Sequence, residues 1–201
     1  MNEHLLNDNW LFYKTKDDFE QHSNALPVHL PHTWNAQDGQ DGGNDYYRGT
    51  CWYEKDLGAL SAVPGHEMYL QFDGVAMNAK VFWNGKMVTS HEGGYSAFRV
   101  NITDAVKKDR NLLTVAVNNG SCAVYPQNAD FTFYGGIYRD VKLLDVPATH
   151  FNLDYYAGNS LKITPIVTDL AKKTAELTLE TWVTGDTDTV RFSVHSAEGI
   201  E

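Results

Sequence analysis

The chain has 201 residues, 42% of them hydrophobic and 12% aromatic, so it can build a packed core and does not have the composition of a disordered segment. Its formal net charge of −10 argues against a nucleic-acid partner and against an anionic membrane surface. No apolar run approaches the roughly 18 residues needed to span a bilayer. The first eight residues lack the basic flank and apolar stretch of a signal peptide, so the expected compartment is cytoplasmic, or periplasmic or secreted if a leader has been removed. Cys51 and Cys122 belong to no metal-spaced cluster, and two half-buried free thiols are expected.

In chain order, residues 1–30 read as irregular, with a short aromatic strand candidate at Trp10-Leu11-Phe12-Tyr13 and a helical turn capped near Asp17-Asp18. Pro31 marks a bend. Residues 35–49 form a loop rich in Gly and Asp, and a loop of that length in a compact domain is functional or mobile. From Cys51 the β signal is strong. Strands are expected at 51–57, at 67–73 with Met68, Leu70 and Phe72 on one face, and at 112–117. Asn84-Gly85 between the apolar runs 80–83 and 86–89 predicts a type I′ hairpin, because both central residues take positive φ. Asn101 to Asp104 can open one helical turn before Lys107. Short strands, turn signals and almost no helix predict an all-β antiparallel sandwich. Past Pro147 the pattern restarts at 151–156, 161–167, 175–183 and 189–194. That amounts to about half of an immunoglobulin-like sandwich, whose usual length is ~100 residues.

The stretch 128–141 concentrates the chemistry. Asp130 is followed by Phe131, Phe133 and Tyr134, then by Gly135-Gly136, and the alternation of Val141 and Leu143 with Asp140 and Lys142 follows. A carboxylate among rings suits a sugar site, since the acid accepts hydroxyl hydrogen bonds and rings stack on C–H faces. The same residues also suit a buried turn whose Asp caps its own backbone. Elsewhere, His29 and His32 have no third ligand nearby for zinc, and His91 reads as structural. Glu54, Glu67, Glu92, Glu176 and Glu180 read as solvated surface. Arg139 reads as the partner of an interior carboxylate, and Asn118, Asn119 and Asn128 either orient Asp130 or cap turns, with capping favoured. There is no nucleophile elbow and no phosphate-cradling glycine loop.

Taken together, Leu30-Pro31-His32-Thr33-Trp34-Asn35, Arg48-Gly49-Thr50-Cys51-Trp52-Tyr53, Asn84-Gly85-Lys86-Met87-Val88 running on to His91 and Phe98, and Asp130 running on to Gly135-Gly136-Ile137-Tyr138-Arg139-Asp140-Val141 resemble the amino-terminal region of family 2 glycoside hydrolases. This is the group of β-galactosidases, β-glucuronidases and β-mannosidases. The resemblance implies a jelly-roll (galactose-binding-like) sugar-binding domain over 1–146 and an incomplete immunoglobulin-like domain over 147–201. It further implies a fragment whose catalytic TIM barrel lies beyond this chain. The family's chemistry is retaining hydrolysis by two glutamates about 5 Å apart, both on that barrel. The chain alone is therefore expected to be inactive and to hold no catalytic residue.

The resemblance singles out an Asp six positions before the Gly of the Gly-Ile-aromatic-Arg motif, which reaches across to the sugar bound at the barrel. Gly136 is that glycine and Asp130 that acid. Phe131 and Phe133 are then expected to serve packing. In some galactosidases the matching Asp also ligates sodium, so Na or Mg in the full-length enzyme is the one cofactor expectation, and none is expected in this chain. Asn44 and Asp45, in the loop before the Trp52-Tyr53 strand, are secondary substrate-binding candidates. The partners implied are a carbohydrate (a β-galactoside or related glycoside), the chain's own barrel and further copies of itself, with no nucleic acid and no membrane. Two other functions fit the same residues: an autonomous carbohydrate-binding module, and a scaffold domain that touches no substrate.

Overall fold

The computed structural model describes residues 1–14, 25–36, 46–120, 123–124, 133–187 and 189–195. The chain divides into two compact units, Met1–Val146 and Pro147–Glu201.

The first unit contains β1 (Asn2–Leu5), β2 (Trp10–Tyr13), β3 (Leu26–Val28), β4 (Thr50–Gly58), β5 (His66–Phe72), β6 (Asn78–Trp83), β7 (Lys86–Glu92), β8 (Phe98–Asn101), β9 (Asn111–Asn118) and β10 (Val141–Pro147). One single 3₁₀ turn, Thr103–Ala105, lies between β8 and β9. Two antiparallel sheets result. One has strand order β1-β10-β5-β8 and the other β3-β2-β4-β9-β6-β7. Residues 1–30 are thus more regular than their sequence suggests. β1 zips onto β10 with Asn2 opposite Asp145, and β3 onto β2 with Trp10 opposite Val28. Both are edge additions, stabilised by a partner strand rather than by their own pattern.

The core explains the alternation. Met68, Leu70 and Phe72 of β5, with Phe98, Val100, Val141 and Leu143, meet Trp10, Phe12, Cys51, Tyr53, Val81, Trp83, Leu113, Val115 and Val117 from the other sheet. Each position is two residues from the next on its strand, as a one-sided strand requires. Burying each large side chain contributes about 1.5–3 kcal/mol. Cys51 is fully buried, not half-buried, and burial pushes its thiol up to about 12, so it packs as a small hydrophobe. Cys122 lies outside the described residues. Asn84 (φ 51°) and Gly85 (φ 80°) close the β6–β7 hairpin with the positive φ pair of a type I′ turn.

The second unit contains β11 (His150–Phe151), β12 (Leu161–Asp169), β13 (Thr174–Thr181) and β14 (Val183–Thr184). β12 pairs with β13 and β11 with β14. Two strand expectations are corrected here. The strand at 151–156 ends after Phe151, and the chain then turns at 156–159, where Tyr156 and Ala157 take positive φ. The segment 189–194 is irregular, since no described strand pairs with it and Phe192 and Val194 stay exposed.

Candidate functional site

At one end of the six-stranded sheet β4 begins and β9 ends, with Thr50 opposite Asn118. Asp130, Asn44 and Asp45 themselves lie outside the described residues, as do Phe131, Asn128 and the helical turn near Asp17. Their flanking residues are described. Asn44 and Asp45 directly precede Tyr46, and Asp130 stands shortly before Phe133.

Those flanks are held by two buried side-chain amides. Asn35 and Asn119 are both fully buried. The Asn119 amide donates to Asn35 Oδ1 (3.1 Å) and to the Tyr47 carbonyl (3.1 Å), and its oxygen accepts the Gly49 N–H (3.0 Å). Asn35 Oδ1 accepts the Gly135 N–H as well (2.7 Å), and Asn35 Nδ2 donates to the Tyr47 carbonyl (3.0 Å). The partners fix both amide orientations: a backbone N–H can only donate, so each Oδ1 must face one, and the Tyr47 carbonyl can only accept. Trp34 Nε1 also reaches Tyr47 O (3.3 Å), Thr33 Oγ1 donates to Gly135 O (2.8 Å), and the Tyr46 hydroxyl donates to Phe133 O. Four chain passages, around 33–35, 46–49, 119 and 133–135, are therefore tied at one point.

The two glycines are forced by close approach. A Cβ on Gly135 would lie 2.1 Å from Trp34 Cζ2. Gly136 has φ +138°, and a Cβ there would lie 2.4 Å from the His32 carbonyl. Gly136 also exchanges hydrogen bonds with Ala76 (2.9 and 3.0 Å), next to the cis peptide between Ala76 and Met77. Phe133 is buried against Ala76, Met77 and Tyr138, so it packs, whereas Tyr134 is exposed.

Beneath the glycines a half-buried histidine meets a buried tyrosine. His32 Nδ1 is 2.7 Å from the Tyr53 hydroxyl, and His32 packs on Phe12 (ring centroids 4.8 Å apart). Burial holds the His32 imidazole below its usual value and the Tyr53 phenol well above its own. Both are neutral at pH 7. The Tyr53 oxygen is also bonded to the Ile137 backbone amide.

Arg139 does not pair with an interior carboxylate among the described residues. It is exposed, donates to the carbonyls of Asp73 (3.3 Å) and Tyr95 (3.2 Å), and lies over the Tyr138 ring. The carbonyl pair takes the place of the expected acid. Asn118 does cap a turn, accepting from Gly120 N (2.8 Å), but Asn119 belongs to the buried amide pair. Sequence reasoning gave Asn35 no role and favoured turn capping for Asn119. Both sit where a polar residue ends an apolar stretch, and nothing local distinguishes a buried amide from a cap. Among the described residues no three His, Cys, Asp or Glu side chains gather into a metal site, and no helix is long and apolar enough to cross a membrane.

An antiparallel β-sandwich of two facing sheets is an architecture that many sugar-binding domains share. Residues 17–147 match the model of the family described as "Glycosyl hydrolases family 2, sugar binding domain", and the chain belongs to that family. It is 46% identical over 154 residues to a β-glucuronidase of Bacteroides fragilis, covering 75% of this chain and 22% of that protein. It is 31% identical over 185 residues to a β-galactosidase of Thermoanaerobacter pseudethanolicus, covering 90% of this chain and 23% of that protein. Among solved structures, it superposes on an FMN-binding β-glucuronidase from Facaelibacterium prausnitzii L2-6 with a TM-score of 0.79 and 39% identity, over 93% of this chain and 28% of that one. The chain thus spans about a quarter of the length of these relatives and corresponds to their sugar-binding portion.

Proposed function

We propose that this chain is the sugar-binding, amino-terminal part of a retaining β-glycosidase that cleaves β-glucuronides or β-galactosides. The supporting observation is the family match over 17–147, joined to the amide-tied end of the sheet, two of whose passages, 46–49 and 133–135, follow Asn44-Asp45 and Asp130 in sequence. In this reading the parent enzyme's two glutamates lie on a barrel outside the chain and perform the displacement. Asp130 accepts hydrogen bonds from the hydroxyls of the sugar in the cleaved position. A fixed acceptor whose bonds tighten as the ring distorts lowers the barrier without taking part in bond making. Asn44 and Asp45, in the loop before the Trp52-Tyr53 strand, supply secondary polar contacts. Where the full-length enzyme holds sodium or magnesium, Asp130 is the residue of this chain that would contribute a ligand. The proposed compartment is the cytoplasm. The proposed partners are the glycoside, the chain's own barrel and further copies of the enzyme, not nucleic acid or a membrane.

The test compares the 201-residue chain with the full-length enzyme on p-nitrophenyl β-D-glucuronide and β-D-galactoside. The full-length enzyme is expected to release nitrophenol with retention of anomeric configuration, and the chain alone none. Hydrolysis by the chain alone, or an inverted product, contradicts the reading.

A further inference from the structure

The apolar alternation of the sandwich breaks toward the end of β4 that lies away from Thr50. Cys51 and Tyr53 are core residues and Leu57 packs against the core, so the same register turns Lys55 toward the space between the sheets. On β10, Val141 and Leu143 are core residues, and Asp145 continues their register. Charged groups at inward positions depart from the pattern that builds a sandwich, and such departures concentrate at functional sites. Both residues, with His4, stand on the wall of a cleft of about 430 Å³. Its floor is apolar, made by Leu6, Leu57, Leu60, Met68 and Leu143. That volume and that lining, apolar with a few polar groups, are those of a small-molecule site.

The acids of the cleft already have partners. Asp145 meets His66 Nδ1 (2.7 Å), and Asp56 accepts from Arg110 Nε (2.8 Å). Lys55 forms no ion pair among the described residues. Its Nζ donates to the Asp8 carbonyl and lies 5.9 Å from the centre of the Trp10 ring, while the Asp8 carboxylate meets His29 (3.1 Å). Burial holds the Lys55 ammonium below its usual value, against the attraction of Asp8. An ammonium has three donors, and this one has donors to spare above a hydrocarbon floor. We propose that the cleft binds a small carboxylic acid with an apolar body, its carboxylate on Lys55 Nζ and its hydrocarbon over Leu57, Leu60, Met68 and Leu143. A monoanion fits better than a phosphate ester, which would set two charges against one ammonium with Asp56 and Asp145 on the same walls. The site is built from β1, β4, β5 and β10 within the first unit, and it does not depend on the glycosidase reading.

The test titrates phenylbutyrate into the isotopically labelled 201-residue chain and follows backbone amide resonances. Saturable shifts are expected at 55–61, at Met68 and at 143–145, with a Kd of about 1 mM or tighter. Phenylbutyramide has the same body without the charge, and it is expected to bind at least tenfold more weakly, because the charge-assisted hydrogen bond is lost. Lys55→Met keeps an apolar stem and removes the ammonium. It is expected to weaken phenylbutyrate binding at least tenfold and to move the Tm by only a few degrees. Ser61→Trp, at the exposed rim of the cleft, is expected to block binding with the fold intact. No saturable shift up to about 10 mM overturns the proposal, and so do shifts scattered over the surface. Equal binding of acid and amide, or unchanged binding in Lys55→Met, overturns it as well. If Lys55→Met does not fold, Ser61→Trp decides: lost binding supports the cleft and unchanged affinity overturns it.

Discussion

The two units use the same alternating pattern and reach different outcomes. In the first, each sheet turns its apolar face to the other sheet, and Trp10, Tyr53, Phe72, Val81, Leu113 and Val141 are all fully buried. In the second, β12 and β13 pair Leu161, Ile163, Pro165 and Val167 with Thr181, Leu179, Leu177 and Ala175 on one apolar face. The other face carries the Lys162–Glu180 ion pair (2.7 Å). On the apolar face Leu161, Ile163, Val167 and Leu177 remain exposed. Alternation therefore specifies which face is apolar, but stability comes from the second layer that covers it.

That contrast can be broken or sharpened by mutation. The largest effect is expected at Gly136, where Ala would meet the His32 carbonyl and retain an unfavourable φ. Gly136→Ala should lower the unfolding free energy of the first unit by about 3 kcal/mol, read from the urea midpoint by circular dichroism. A loss under 1 kcal/mol would show that the His32 backbone yields, and that the glycine is not required by contact.

Next comes Tyr53→Phe. It deletes the hydroxyl shared by His32 and Ile137 inside the core, at a cost of about 1–2 kcal/mol. An unchanged urea midpoint would mean that the pair is not coupled to folding.

A pH dependence follows from the same histidine. His32 and His91 are both lowered by burial, so the unfolded chain binds protons more readily than the folded one. The first unit should hold its full stability above the ordinary imidazole value of about 6.5 and lose it progressively below. The urea midpoint at pH 5.5 should lie below that at pH 7.5, by a smaller margin in His32→Phe. A midpoint that rises on acidification reverses the sign of the argument.

The smallest effect belongs to the second unit. Ile163→Thr on the exposed face should change the chain's stability by less than about 0.5 kcal/mol, whereas Val81→Thr in the first unit should cost more than about 1 kcal/mol through a buried hydroxyl. Equal losses at the two positions would erase the distinction between the units.

Much of the fold was legible because β5, β9 and the Asn84-Gly85 hairpin carry strong local signals. The edge strands β1 and β3 were not legible, since Asn2–Leu5 and Leu26–Val28 have no alternation of their own and become strands by pairing. The irregular 189–194 segment was misread for the complementary reason: it has the composition of a strand without a described partner. At the site, the glycine pair was visible in the sequence, and its cause, the Trp34 ring and the His32 carbonyl, was not. Asn35 and Asn119 were hidden because their partners are distant in sequence, and only a folded chain brings Gly49 and Gly135 within reach of the same amide pair.

The most direct test of the glycosidase reading is the steady-state kinetics of Asp130→Ala in the full-length enzyme, with folding checked by circular dichroism. We expect kcat to fall at least tenfold with the Tm preserved. Wild-type turnover in a folded variant would contradict a substrate role for Asp130 and would leave the sandwich as a scaffold.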